Sequence, residues 1–480
     1  MKDSTFENRL FINGEFVPSQ KGKTFELINP ATTKVLGSVY EADIEDVDVA
    51  VAAGKAAFGF WSELPAFERS RWLHRLVDKV EQNMQEISRL EALTMGKPVH
   101  NDISILIGIQ VLRYFASRPS DIQGETSLSD PGLVGMTLRQ PYGVVGAIIP
   151  WNTPFSMLCL KVGPALAAGN TMVLKTSEKS PVSSLIVGQC MKEIGFPPGV
   201  LNILSGFGRP CGEAIAKHME IRKLAFTGST ATGRAIKKAA AESNLKTVTL
   251  ELGGKSPLIV FADADIQKAA EAAAASILVV SGQTCMASSR VYVEESIANQ
   301  FVELMKLEMS RIGASANPLT SGTLRGPQAD RAQYDRVMSF LDLARAQDVK
   351  TLLGGDRENK DGYYIQPTML FQVPEDSKLV KEEIFGPVVC VNTFTNEADA
   401  IGRANDTEYG LYGSFFTKDM SRALRLSKKI EAGTVGVNIA SPNVMLDMPF
   451  GGWKQSGEGR ELGKHSLDSW TELKTVLMKL

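Results

Sequence analysis

The chain is punctuated by short runs that are apolar at nearly every position: GVVGAIIP (143–150), NTMVLKT (170–176), LNILSG (201–206), KLAFTG (223–228) and TVTLELGG (247–254). A strand with one wet face alternates polar and apolar residues. A run without alternation belongs to a strand covered on both faces, the condition of a parallel sheet. Helix-like segments stand between the runs, among them SPVSSLIVGQCMKEIG (180–195) and GEAIAKHME (212–220). Strand and helix in alternation predict a doubly wound α/β unit. A second series, SRVYVEE (289–295), VVCVNTF (388–394), YGLYGSFFT (409–417) and GTVGVN (433–438), predicts a second α/β unit. An alanine-rich helix over 263–280, capped by Asp263 or Asp265, leads into it. Residues 119–141 are rich in turn formers and predict a protruding hairpin, and TELKTVLMKL (471–480) reads as an edge strand in need of a partner.

Two units suit the length, since 480 residues exceed a single compact core. A net charge of −2 offers no basic surface for nucleic acid or anionic lipid. MKDSTFENRLFINGEF lacks the apolar core of a secretory signal, and no apolar run approaches the roughly 18 residues of a membrane span. The five cysteines are scattered, odd in number and free of CxxC spacing. That pattern argues against a disulfide framework and against a zinc site, so no metal is expected and a reducing, cytoplasmic compartment fits best. None of the four histidines lies in an HExxH arrangement.

Five stretches carry candidate chemistry. In VVSGQTCMASSR (279–290), Cys285 is either a reactive thiol or a small hydrophobe filling a gap. In TLELGGKSP (249–257), Glu251 closes a buried strand before a glycine turn, where α/β folds place ligand sites. It is either a general base raised by burial or a salt-bridged glutamate. In GAIIPWNTP (146–154), Asn152 is held between Pro150 and Pro154, as an oxyanion donor or a helix cap. In LKTSEKSP (174–181), Lys175 and Glu178 could address two hydroxyls of one sugar or form a solvated pair. FTGSTATG (226–233) lacks the GxGxxG dinucleotide spacing, yet Gly228 and Ser229 open a helix able to take phosphate oxygens.

Taken together, PWNTP, FTGST, LELGGKSP, GQTC and EEIFGPV (382–388) occur in the order and approximate spacing of the aldehyde dehydrogenase superfamily, which the chain resembles from FINGEF to FGGWKQSGEGRELG. The resemblance implies a Rossmann-type cofactor domain (1–118 with 142–253), an α/β catalytic domain (254–466) and a small β oligomerisation element (119–141 with 467–480). The last would pair the tail strand across a subunit interface of a homodimer or homotetramer. The resemblance also implies the roles. Cys285 attacks the aldehyde carbonyl, Asn152 and the Cys285 N–H hold the oxyanion, and Glu251 activates water against the thioester. Lys175 and Glu178 bind the adenosine ribose, Ser229 behind Gly228 takes the pyrophosphate, Glu383 holds the nicotinamide ribose and Phe385 packs near the ring. Ile149, Pro150, Trp151, Gly208, Gly212, Phe226, Gly233 and Leu252 match further cofactor positions. NAD is expected over NADP, because Glu178 would repel a 2′-phosphate.

Thr153, Met157, Leu160, Thr284, Met286 and the segment Ser441–Met448 are expected to line the substrate tunnel. Thr153, Leu160 and Thr284 are not aromatic, which speaks against a cage for a trimethylammonium aldehyde. No arginine stands among these positions, which speaks against a carboxylated semialdehyde. A medium or large apolar or aromatic aldehyde is the expected substrate. CoA-acylating members of the superfamily lack the glutamate at the position of Glu251, so hydrolysis is favoured. Retention of Cys285, Glu251 and Asn152 argues against a silent structural or binding protein.

Overall fold

The computed structural model describes residues 6–101 and 103–479. The first strand series forms the middle of an eight-stranded sheet, in the spatial order Leu201–Ser205, Thr171–Thr176, Val144–Ile148, Lys223–Thr227, Thr247–Glu251. These five run parallel. The first four are buried at every residue, which is why their sequences do not alternate. Leu10–Ile12 and Glu15–Val17 extend one edge antiparallel, and Gly457–Glu458 closes the other against Thr247–Glu251. Chain order reverses between Val144–Ile148 and Lys223–Thr227. An α/β sheet opens its ligand crevice beyond the carboxyl ends of the strands at such a point.

The second series forms a seven-stranded sheet, ordered Lys350–Leu353, Thr368–Phe371, Val388–Phe394, Arg290–Glu294, Pro257–Val260, Tyr412–Phe416, Thr434–Val437. Only its first pair is antiparallel. YGLYGSFFT is therefore not one strand: Tyr409–Gly410 pairs instead with Trp453–Lys454. The segment 212–220 is helical only over Glu213–Lys217.

The alanine-rich helix spans Ile266–Leu278 and is capped by Asp265, whose carboxylate accepts the Lys268 N–H at 3.2 Å. Asp263 is no cap; it accepts from the Thr417 hydroxyl and the Lys418 N–H. The helix stops short of 280 because Val280 and Ser281 take left-handed φ of 49° and 54°. Helix Ile103–Ala116 lies against helix Pro154–Ala167 through Gly108, where a Cβ would stand 2.7 Å from the Phe155 ring.

Residues 119–141 contain the turn Pro119–Asp121 and the strands Thr126–Ser127 and Leu133–Pro141. Strand Thr471–Lys479 pairs antiparallel with Leu133–Pro141 along its whole length. The tail has one partner in its own chain and is the edge of a three-stranded sheet. Among the described residues no helix is long and apolar enough to cross a membrane.

Candidate active site

Glu251 ends the last parallel strand of the first sheet, and the glycines after it turn the chain toward the second sheet. Both glycines are required by contact. A Cβ on Gly253 would stand 2.5 Å from a Glu383 carboxylate oxygen, and one on Gly254 would stand 2.1 Å from the carbonyl oxygen of Cys285. The strand end and the cysteine loop are thereby packed backbone to backbone, with the Glu383 carboxylate set against Gly253.

The half-buried Cys285 donates its thiol to Glu251 Oε1 at 3.1 Å. Burial and the neighbouring Glu251 and Glu383 charges push the thiol well above its usual value. Burial also raises Glu251, to about 7; the Glu461 carboxylate adds to the rise while Lys161 and the thiol oppose it. Lys161 and Glu461 form an ion pair with each other. The proton therefore sits on sulfur, beside a carboxylate whose affinity for it is close to neutrality. Asn152, at the buried start of helix Pro154–Ala167, donates its side-chain N–H to the carbonyl of Gln283 at 2.9 Å. The expected oxyanion donor is thus tied directly to the cysteine loop.

That loop is strained and braced. Val280, Ser281 and Gly282 are consecutive left-handed residues, with φ of 49°, 54° and 75°. For a β-branched valine this conformation is unusual. Among the bonds that hold it are Ser281 Oγ to the Gly326 carbonyl at 2.6 Å, Gln283 Nε2 to the Val280 carbonyl at 2.9 Å, Gln328 Nε2 to the Ser281 carbonyl at 3.2 Å, and the Ala329 N–H to Gln283 Oε1 at 2.8 Å.

Cys285, Glu251, Asn152 and Thr227 face a cavity of about 170 Å³ with mostly apolar walls. All five sequence-predicted tunnel positions, Thr153, Met157, Leu160, Thr284 and Met286, line it, as do Pro442, Val444 and Leu446. Ser441 instead turns its hydroxyl to the Met286 carbonyl at 2.6 Å. Sequence reasoning missed a whole wall: Ile103, Ile107 and Val111 of one helix, spaced four apart, with Ser104 and Lys97. The four-residue apolar stripe was the available signal. It also missed the roles of Gln283 and Glu461, which lie inside the quoted stretches GQTC and FGGWKQSGEGRELG, and of Lys161, which lies outside them.

The expected cofactor positions gather at the reversal point of the first sheet. Ile149 is buried and donates its N–H to the Lys175 carbonyl at 3.0 Å. Lys175 is buried against Gly212, its ammonium meeting the Thr176 carbonyl at 2.8 Å, and burial lowers its pKa. Glu178 is partly open and accepts from the Ser177 hydroxyl at 3.3 Å. Ser229 is exposed and caps helix Thr230–Ala241. Gly208 faces open space. Gly228 and Gly233 are not open: a Cβ at either would meet Phe226 or Leu252 at 2.5 and 2.6 Å, so their need for glycine is met by internal packing. Glu383 accepts the Gly254 N–H at 2.9 Å, and burial raises it to about 7. Phe385, at a left-handed φ of 61°, sets its ring edge-on to Trp151 at 5.5 Å.

A reversed-order parallel sheet beside a braced thiol–carboxylate pair defines a class: an α/β enzyme with a cysteine at its crevice. Comparison makes it specific. The family model described as "Aldehyde dehydrogenase family" matches residues 16–476. The chain is 46% identical over 473 residues to an aldehyde dehydrogenase of Emericella nidulans, covering 98% of this chain and 95% of that protein. It is 44% identical to aldehyde dehydrogenase 1A1 of Mus musculus, over 98% and 95% of the two chains. An aldehyde dehydrogenase from Bacillus cereus solved as its NAD+ complex superposes with a TM-score of 0.96 at 41% identity, over 99% and 97% of the chains. The protein belongs to the aldehyde dehydrogenase family.

Proposed function

We propose that the protein oxidises an aldehyde to the carboxylic acid with NAD as hydride acceptor, using Cys285 as nucleophile, Glu251 as base and Asn152 as oxyanion donor. The observation that carries this reading is the 3.1 Å bond between the Cys285 thiol and Glu251 on the wall of an apolar cavity.

Glu251 takes the thiol proton, and the thiolate adds to the carbonyl carbon while the π pair moves to oxygen. That oxygen accepts from the Cys285 N–H and from the Asn152 amide, which gives up the Gln283 carbonyl to meet it. NAD held by the crevice residues would supply the hydride acceptor, and the carbon would then be left as a thioester on Cys285. Once Glu251 has released its first proton, it takes another from water. The water oxygen bonds to the thioester carbon, the C–S bond breaks and the thiolate leaves. The presence of Glu251 favours this hydrolysis over transfer to CoA.

The crevice residues fit a dinucleotide. Gly208 leaves open room, Lys175 gives a donor to the Thr176 carbonyl, Ser229 stands at an exposed helix start, and Glu383 turns a carboxylate inward. Lys175 and Glu178 would hold the adenosine ribose, Ser229 a phosphate oxygen and Glu383 the nicotinamide ribose, with Ile149–Trp151 and Phe385 as walls. Glu178 favours NAD over NADP, since a 2′-phosphate there meets a like charge. We assign 1–118 with 142–253 to the cofactor, 254–466 to catalysis and 119–141 with 467–480 to assembly as a homodimer or homotetramer. The unpaired edge of Thr471–Lys479 and its exposed Leu473 and Leu477 support the last. Five free cysteines suit a reducing cytoplasm. The substrate is a medium or large apolar or aromatic aldehyde.

A panel of aldehydes with NAD, with NADP, and with or without CoA tests the reading. Expected are NADH without added CoA and a higher kcat/KM with NAD. No reduced nucleotide with any aldehyde, or a strict need for CoA, overturns it.

A further inference from the structure

We infer that Arg325 is a positioning residue for the reaction: its buried pair with Glu358 fixes the segment that holds the Val280–Gly282 turn, and through that turn the Cys285 thiol and the Asn152 amide. This rests on the aldehyde-oxidising reading above.

Two left-handed residues that are not glycine persist only where their surroundings over-determine them. At Val280 and Ser281 those surroundings include one short segment, 325–329. The Gly326 carbonyl accepts from the Ser281 hydroxyl, the Gln328 amide donates to the Ser281 carbonyl, and the Ala329 N–H donates to Gln283 Oε1. The turn presents Gln283, whose carbonyl holds the Asn152 amide at 2.9 Å, and Cys285 follows two residues later. Whatever sets the place of 325–329 therefore sets the place of the nucleophile.

Arg325 does this. Its side chain is buried, donates Nε to the Gly313 carbonyl at 2.7 Å and pairs through Nη2 with Glu358. Glu358 is itself held by the Ser315 hydroxyl and the Lys360 ammonium, each at 2.5 Å. The neighbours of Arg325 leave the segment no slack. A Cβ on Gly326 would stand 1.8 Å from the Gly96 carbonyl. Leu324 lines the cavity and, like Ile103, is partly exposed where it opens, at 41% against 62%. Neither Arg325 nor Glu358 lines the cavity, so the pair acts through the turn and not on the substrate. A buried ion pair adds little net stability beyond apolar residues of the same volume, so stability alone does not account for a guanidinium here. A planar fork bonded to two fixed acceptors does what an apolar side chain cannot: it sets the direction and register of the chain that carries it.

The test compares Arg325→Met and Arg325→Lys with the wild type. In the methionine variant Glu358 keeps Lys360, so its charge is not left alone. There kcat at saturating NAD and aldehyde should fall about 10²-fold, the cost of a displacement near 1 Å at the reacting atoms. Alkylation of Cys285 by iodoacetamide, read by peptide mass, should slow as well, and the Kd of NADH by fluorescence should be unchanged. Arg325→Lys keeps the charge toward Glu358 but not the fork that also reaches Gly313, and should recover part of both rates. A folded Arg325→Met protein with wild-type kcat and alkylation overturns the assignment. So does a loss of NADH affinity as large as the loss of kcat, which would mean general loosening. If the methionine variant does not fold, Arg325→Lys decides: a fall in both rates upholds the assignment, and wild-type values overturn it. Alkylation needs neither aldehyde nor NAD. Failure to oxidise any aldehyde therefore overturns the activity, while the alkylation rates still decide what Arg325 does.

Discussion

The buried end of the cavity and its mouth are built on opposite terms. At the buried end, backbone touches backbone: a methyl at Gly254 or Gly282 would stand 2.1 or 2.0 Å from the Cys285 or Gly386 carbonyl, and one at Gly253 would stand 2.5 Å from the Glu383 carboxylate. At the mouth, Ile103, Leu324, Val444 and Leu446 present apolar surface that many side chains of similar size would supply. Chemistry thus rests on contacts that tolerate no added atom. Substrate choice rests on surface that can change one residue at a time. Changes at the buried end should act on turnover, and changes at the mouth should act on which aldehyde is preferred.

The largest break of this contrast is Cys285→Ala. Steady-state NADH formation should fall by about four orders of magnitude or more, as for other removed nucleophiles. NAD binding, followed by fluorescence, should persist. Residual turnover near wild type would remove Cys285 from the mechanism. Next is Glu251→Gln. General-base assistance is worth about 10²- to 10⁴-fold, and steady turnover should drop by that order. If the amide mainly blocks hydrolysis, rapid mixing shows a burst of NADH near one equivalent per site, then a slow phase. If the burst itself slows and recovers at high pH, Glu251 also deprotonates Cys285. Gly254→Ala should follow, at about 10²-fold in kcat, because displacing the Cys285 loop by a fraction of an ångström misaligns the attack. A kcat near wild type in a folded Gly254→Ala protein would show that the close contact has no catalytic weight.

The two ends were not equally legible in the sequence. The parallel strands were, because burial on both faces removes alternation and leaves a visible trace in Val144–Ile148 or Leu201–Ser205. Cys285, Glu251 and Asn152 were visible as residues with two readings each, and only the family's motif order chose between them. The left-handed turn at Val280 and Ser281 was invisible. Valine favours strands, and what holds the turn is Gly326, Gln328 and Ala329, far along the chain. The wall from Ile103 to Val111 looked like any helix packed on a core, since an apolar stripe does not say whether protein or substrate covers it. The tail strand was recognised, but strand pairing is a property of two segments, and nothing in TELKTVLMKL names Leu133–Pro141 as its partner.

The smallest expected effect sharpens the comparison from beneath the site. Burial and the Glu461 charge together hold Glu251 at about 7, and Lys161 works against them. Only the ionised carboxylate accepts a proton, so kcat/KM should rise with pH through about 7 and then level. Glu461→Gln deletes a negative charge and leaves Lys161 facing Glu251 without its partner. Both changes favour the Glu251 carboxylate, so the acid limb should move to lower pH. Lys223 also lies near neutrality, lowered to about 7 chiefly by burial and raised by Glu461, with its ammonium over the Trp470 ring at 4.9 Å. It does not line the cavity, so a second readout separates the two. If Glu251 takes the Cys285 thiol proton, the rate of Cys285 alkylation by iodoacetamide should depend on that transfer, and it needs neither aldehyde nor NAD. Its pH profile should shift down in Glu461→Gln by the same amount as the kcat/KM limb. A limb that moves without the alkylation profile would assign the titration to Lys223, and a limb that stays in place would show that Glu461 does not set the charge state of the base.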